Sequence, residues 1–315
     1  MSLPDTHEPS LSTRQRLRYG AEAAGFFLLM GFFKLLGLDG ASAVGGFIGR
    51  NIFYRTSVSK RARRNLKAAF PEKTDAEIES IVIEMWDNLG RTIAEYPHLE
   101  KLSINGVDPR ITVSDVEISD AAVASGKGVM FISGHFANWE TLPAAATQRG
   151  YAGALVYRPQ NNPIVNDWVE RQRAKAGPKE QIGKGARGTR RIFYLLRNGR
   201  SVFLLVDQKT NEGIPAPFFG RNAMTTPAPA SLALKLGSVL LPVSNERLKG
   251  ARFHMKPRPP IEFTPTGDHD ADILALTAKI NETIEQIVRE RPSQWLWIHR
   301  RWPTPRDVAR SKRSG

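Results

Sequence analysis

The stretch GVMFISGHFANWETLP, residues 128–143, decides the fold. Gly128–Ile132 is a short unbroken apolar run, the kind that fills a strand buried on both faces. Gly134 lets the backbone turn sharply, and His135 stands three residues beyond the run. Glu140 lies five residues further on. On one continuous helix that spacing would set the two side chains about 140° apart. They meet if His135 is on the loop and Glu140 opens the next helix. Pro143 supports that arrangement, because proline is tolerated in the first helical turn and disfavoured later. The expectation is a loop histidine facing a helix-start glutamate beyond the C-terminal end of a strand, where open α/β sheets place their ligands.

The flanking sequence repeats this rhythm. Candidate strands are Arg110–Val113, Gly128–Ile132, Ala152–Tyr157, Ser201–Val206 and Val239–Val243, with helices near 163–176, 188–197 and 228–236 between them. The alternation predicts an α/β fold, with a mostly parallel central sheet and helices on both faces. A long helix over about 269–291 follows. Before the sheet, Thr74-Asp75-Ala76-Glu77 matches a capping box, and Ile78, Ile81, Val82, Met85, Trp86, Leu89 and Ile93 recur at helical spacing up to Pro97. The predicted layout is a disordered N-terminus (1–13), a membrane anchor region (14–58), an α/β domain (59–303) and a basic tail (304–315).

His135 and Glu140 suggest a chemistry. A hydroxyl is a weak nucleophile until a base takes its proton, and a neutral imidazole does this near neutral pH. A carboxylate on the other ring nitrogen fixes the tautomer and stabilises the imidazolium. The chain has no cysteine, which excludes disulfides, thiolate zinc sites and a cysteine nucleophile. No further His or carboxylate completes a metal site at ligand spacing, so neither metal nor cofactor is expected.

Charge and hydropathy bound the partners. Lys and Arg total 45 against 31 Asp and Glu, a net of +14. Such a surface favours nucleic acid, anionic membrane or an acidic carrier protein. No zinc finger, RNP or helix-turn-helix signature is present, so nucleic acid is not an expected partner. Arg14, Arg16 and Arg18 precede an apolar stretch from Ala21 to Leu38, interrupted by Glu22 and Lys34. A spanning helix needs about 20 apolar residues. The stretch is read as an uncleaved anchor, either spanning or deeply interfacial, with Lys60, Arg61, Arg63, Arg64 and Lys67 set to meet anionic headgroups.

GHFANWE resembles the H-x4-D/E block of the glycerolipid acyltransferase superfamily, and distant motifs narrow the likeness. RRNLKAAFP (63–71), MWDNLGRTIAE (85–95), VYRPQNNP (156–163), VDQ (206–208), PFFG (217–220) and WLWIHRRWP (295–303) resemble, in order and spacing, the signatures of the lipid A late acyltransferases. The similarity spans roughly residues 15–303. It implies an O-acyltransferase with acyl-acyl carrier protein as donor. The implied acceptor is a 3-hydroxyacyl chain on a Kdo-bearing lipid A precursor, at the cytoplasmic face of the inner membrane. Another glycolipid or phospholipid, such as a phosphatidylinositol mannoside, is the alternative acceptor. Glu140 stands where glycerol-phosphate acyltransferases carry Asp, and Lys209 stands where the family tends to place an acidic residue.

The resemblance adds substrate-binding candidates. Arg158 occupies the second-block arginine position, suited to an acceptor phosphate or the thioester oxygen. Asn162 belongs to the same block, and Gln208 to the third. Asp207 ends a strand at the same sheet edge and positions either Arg158 or a loop. Arg187, with Lys184, Arg190 and Arg191, forms a basic group that either meets phosphates or is a solvated helix face. Phe218 and Phe219 line an acyl channel or fill the core. His299, Arg300 and Arg301 are candidates for lipid headgroups, and Trp295, Trp297 and Trp302 suit an interface or the core.

Overall fold

The computed structural model describes residues 12–302. The expectations for residues 1–13 and for the 304–315 tail lie outside the described residues, except at Ser12 and Thr13, which cap and open the first helix. Four helices precede the sheet: α1 (Thr13–Leu35), α2 (Gly37–Asn51), α3 (Ser59–Ala69) and α4 (Asp75–Glu95). The Thr74–Glu77 capping box forms as its sequence dictates, with Thr74 N donating to Glu77 Oε2 at 2.8 Å. Helices α2 and α4 approach so closely that only glycine fits between them. A Cβ on Gly49 would stand 2.0 Å from the Trp86 carbonyl oxygen, and one on Gly45 would stand 2.4 Å from that of Gly90.

The rest of the chain alternates: β1 (Ile111–Val113), α5 (Val116–Ala124), β2 (Val129–Ser133), α6 (Thr141–Gln148), β3 (Gly153–Tyr157), α7 (Pro163–Ala176), β4 (Gln181–Gly183), α8 (Ala186–Arg197) and β5 (Ser201–Leu205). A hairpin of β6 (Ile214–Phe218) and β7 (Arg221–Thr225) follows, then α9 (Ala228–Leu236), β8 (Val239–Arg247), β9 (Phe253–Pro257) and α10 (His269–Glu290). The sheet order is β1-β9-β8-β2-β5-β3-β4, parallel throughout except for β8 against β9. All five residues of β2 are buried. Met130 and Ile132 join a core shared with α3, α4, α8 and α10, whereas Val129 and Phe131 join one shared with α5 and α6. A central strand thus feeds an apolar core on each face, as its unbroken hydrophobicity requires. The consequence for function is positional. The loops after β2, β3, β4 and β5 gather at one edge and carry His135, Arg158, Lys184 and Asp207.

Of the two alternatives for the N-terminal stretch, a spanning helix is not found: among the described residues, no helix is long and apolar enough to cross a membrane. The apolar run is broken at Gly37, whose φ of +67° separates α1 from α2. Lys34 is held within the protein: its Nζ donates to Pro97 O at 2.7 Å and pairs with Glu100 at 2.8 Å. The basic cluster after it is partly spent within the protein. Arg63 pairs with Glu79, Lys67 with Asp75, and Arg61 donates to Ile298 O.

Candidate active site

The loop after β2 is held from several sides. At Gly134 a Cβ would meet the Phe136 ring at 2.8 Å and Asp207 Oδ2 at 3.1 Å, so the chain can pass only without one. Ala137 adopts a left-handed φ of +46°, fixed by hydrogen bonds at both of its polar backbone atoms. Its N–H donates to Gln294 O at 3.0 Å, and its carbonyl accepts from Asn88 Nδ2 at 3.1 Å and Thr92 Oγ1 at 2.9 Å. Asn138 donates to Glu95 Oε2 and accepts from Asn245 through its carbonyl, both at 2.8 Å. Helix α4 therefore positions the histidine loop through Asn88, Thr92 and Glu95.

The carboxylate on His135 is Asp207. His135 Nδ1 lies 2.8 Å from Asp207 Oδ1, while Asp207 Oδ2 accepts from the His135 backbone N–H and from Trp295 Nε1, each at 2.7 Å. Burial pushes the Asp207 carboxyl up, but the His135 charge and hydrogen bonds outweigh it and hold it far below the usual carboxylate range. An ionised acceptor at Nδ1 keeps the proton there and leaves Nε2 as the lone pair. Asp207 contacts the His135 loop and ring, and among the described residues no hydrogen bond joins it to Arg158.

Glu140 opens α6 as expected, but it makes no hydrogen bond with His135. It accepts from Arg173 Nε at 2.9 Å and Nη2 at 2.7 Å, from Tyr96 Oη at 2.5 Å and from Trp139 Nε1 at 3.1 Å. Burial raises its pKa, and the adjacent Arg173 charge more than offsets this, so the carboxyl stays below its ordinary value. The dyad expected from H-x4-E spacing is thus replaced by two separate pairs, His135–Asp207 and Arg173–Glu140. The reason is geometric: the loop turns at Gly134 and Ala137, sending the histidine toward β5 and the glutamate toward α7.

A cavity of about 300 Å³ opens beside both pairs. Its walls include His135, Trp139, Glu140, Arg158, Lys184 and Gln208, over an apolar floor with Leu155 and Phe203. Arg158 and Gln208 thus both line this cavity. Asn162 does not line this cavity. It caps α7 by accepting from Ile164 N and ties it to α1 by donating to Tyr19 O at 2.9 Å. Arg187 is exposed on α8, outside the lining. Phe218, Phe219, Trp295, Trp297 and Trp302 are buried in the core rather than at a channel or interface. Arg301 is fully buried, donating to Met224 O, Thr225 and Asn281, and His299 reaches the site instead of a headgroup. Burial, reinforced by charge at His135, lowers the His299 pKa to about 4, so its ring is neutral at neutral pH. No cluster of three or more metal-ligating side chains occurs among the described residues.

A profile of the bacterial lipid A biosynthesis acyltransferases matches residues 10–304. The chain is 28% identical over 249 residues to the lipid A biosynthesis palmitoleoyltransferase of Escherichia coli K12, covering 77% of this chain and 78% of that one. It is 26% identical over 258 residues to the lauroyltransferase of the same organism, covering 78% and 79%. A phosphatidylinositol mannoside acyltransferase of Mycobacterium tuberculosis is 21% identical over 271 residues, covering 84% and 83%. A match over nearly the whole chain places this protein in the bacterial lipid A biosynthesis acyltransferase family, and it is an O-acyltransferase.

Proposed function

We propose that this protein moves a fatty acyl group from acyl carrier protein to a hydroxyl of a Kdo-bearing lipid A precursor, with His135 as general base. The observation that carries the reading is the His135–Asp207 pair at the wall of a cavity rimmed by Arg158 and Lys184. The acceptor hydroxyl gives its proton to His135 Nε2 as its oxygen attacks the thioester carbonyl. The C–S bond breaks, and the proton passes to the departing thiolate. Asp207 stays ionised and stabilises the imidazolium between these steps. Arg158 supplies positive charge to an acceptor phosphate or to the developing oxyanion.

The test offers the purified protein acyl carrier protein thioesters with the Kdo-bearing precursor and reads the lipid product by mass spectrometry. Transfer is expected, and His135→Ala is expected to lower it by at least about 10³-fold, the scale of losing a base and its tautomer control. Transfer surviving in that variant would overturn the assignment. The similarity to the mannoside acyltransferase favours a second acceptor class, and product found only on such a glycolipid would select it.

The same reading puts the protein on the cytoplasmic face of the inner membrane, with α1 and α2 lying in the interface. Leu28 (77% exposed), Leu35 (89%), Phe32, Phe47, Ile52 and Phe53 support this, because so many exposed large apolar side chains on adjoining segments suit a lipid surface. Arg14, Arg16 and Arg18 at the start of α1 suit anionic headgroups. Vesicles containing phosphatidylglycerol should sediment the protein, and Leu28→Asp with Leu35→Asp should weaken binding by about tenfold or more. Unchanged sedimentation of the double variant would remove α1 from the interface.

A further inference from the structure

Gln208 sits where the base must work. Its amide Nε2 is 3.0 Å from His135 Nε2 and 3.2 Å from His299 Nε2, and the two imidazole rings meet edge to face with centroids 5.0 Å apart. Because Asp207 holds the proton on His135 Nδ1, the Nε2 of His135 is a lone pair and accepts. His299 is neutral, so one of its ring nitrogens is a lone pair, and with the ring proton on Nδ1 its Nε2 accepts the amide's second proton. One NH2 group carries two protons, and each finds an imidazole nitrogen. His299 in turn is fixed by its backbone carbonyl, which accepts from the buried Asn65 Nδ2 at 2.9 Å. The orientation of the amide is therefore set by two acceptors, with its nitrogen and not its oxygen toward the base.

This arrangement occupies the atom that the reaction needs. We propose that Gln208, held by His299, is a positioning residue that caps His135 until an acceptor hydroxyl arrives, and so decides between acyl transfer and loss of the acyl chain to water. The inference rests on His135 acting as the base. Water competes at the same lone pair. If a water molecule gives its proton to Nε2 and attacks the thioester carbonyl, the C–S bond breaks, a fatty acid leaves, and the proton goes to the thiolate. The cavity is open enough to admit water, and His135 and Gln208 both line it. A single small molecule gains little by displacing an amide that is anchored at both protons. A bound lipid acceptor brings the rest of its contacts to the task, and the amide keeps its bond to His299 when it swings aside. The cap thus gives way to the larger ligand and resists the smaller one.

The experiment follows a dodecanoyl thioester of acyl carrier protein, with and without the Kdo-bearing precursor, and measures free fatty acid against acylated lipid. Gln208→Met keeps the approximate volume and removes both donors. The expected result is a rise of about fivefold or more in the ratio of hydrolysis to transfer, the worth of one lost hydrogen bond. His299→Phe keeps a ring and removes the anchoring acceptor, and it should shift the ratio in the same direction whether or not Gln208→Met folds. A loss of rate from mere loosening of the site would lower both products together and leave the ratio in place. An unchanged or lower ratio in either folded variant, with both products still abolished by His135→Ala, overturns the cap alone. Products that survive His135→Ala overturn the base assignment and the cap with it.

Discussion

Asp207→Asn should lower kcat/KM for acyl transfer by about 10⁴-fold, the cost seen when the carboxylate behind a catalytic imidazole becomes an amide. The local geometry says why the amide cannot substitute. Asp207 Oδ2 receives two N–H donors, from the His135 backbone and from Trp295. In the Asp207→Asn variant the amide oxygen must stay there, because the NH2 group would face two donors. The NH2 is then left pointing at His135 Nδ1, which must become an acceptor. The ring proton moves to Nε2, and the lone pair that takes the acceptor's proton is gone. Glu140→Gln gives the contrasting result. It leaves Arg173 buried without its carboxylate, so it should cost stability, of the order of 3 kcal/mol, while the His135 tautomer is untouched. Its kcat/KM loss should fall well short of that of Asp207→Asn. Steady-state kinetics of the two variants side by side separate the carboxylates, and a reversed order would restore the pairing that H-x4-E spacing suggests. Acid should not mimic Asp207→Asn near neutrality. The folded-state pKa of Asp207 is depressed, so its charge persists as pH falls through the ordinary carboxylate range.

The residues that carry the site differ in how far their neighbours lie along the chain, and this governs what could be read in advance. The strand before His135 and the helix start at Glu140 depend on local hydrophobicity and on Pro143, and both stand where those signals put them. The pairing of His135 with Asp207 depends on strand order. β2 and β5 run parallel with Ser133 opposite Leu205 at their ends, and two residues past each end His135 stands beside Asp207. Nothing local says that these strands are neighbours, although two polar residues just past two apolar strands were a usable hint. The β6–β7 hairpin was hidden by Pro215 and Pro217, which argue against a strand unless its other edge is free. Its turn at Phe219 and Gly220, with φ of +52° and +65°, has the two positive values that a tight hairpin needs. β4 and β9 were missed because they are short or polar and lie toward the margins of the sheet. Asn88, Thr92 and Glu95 were passed over because an amphipathic pattern is judged by its apolar positions, whereas here buried polar ones support the active loop.

Those buried polar residues carry the second large expected effect. Arg247 spends all five N–H groups inside the protein: Nε on Asn88 Oδ1, Nη1 on Glu95 Oε1 and Gly250 O, Nη2 on Thr92 Oγ1 and Glu95 Oε2. Glu95, fully buried, also accepts from Ser42 and from Asn138 of the histidine loop. Arg247→Met fills much of the same space but leaves the Glu95 charge without a cation. The expected loss is about 3–5 kcal/mol of unfolding free energy, read from urea denaturation midpoints at constant slope. Arg247→Met combined with Glu95→Leu should recover part of that loss, because the uncompensated charge is gone while the polar groups around the pair stay unpaired. Activity should not recover with stability. Asn138 keeps its Asn245 contact but loses the Glu95 oxygen, and Asn88 and Thr92 lose the guanidinium that aligns them beneath the Ala137 carbonyl. The double variant should fold and still show a depressed kcat, since the loop carrying His135 is no longer held from α4. A double variant as unstable as Arg247→Met alone would mean that the pair is not the source of the loss. One with wild-type kcat would mean that β5, through Asp207, is enough to hold the base in place.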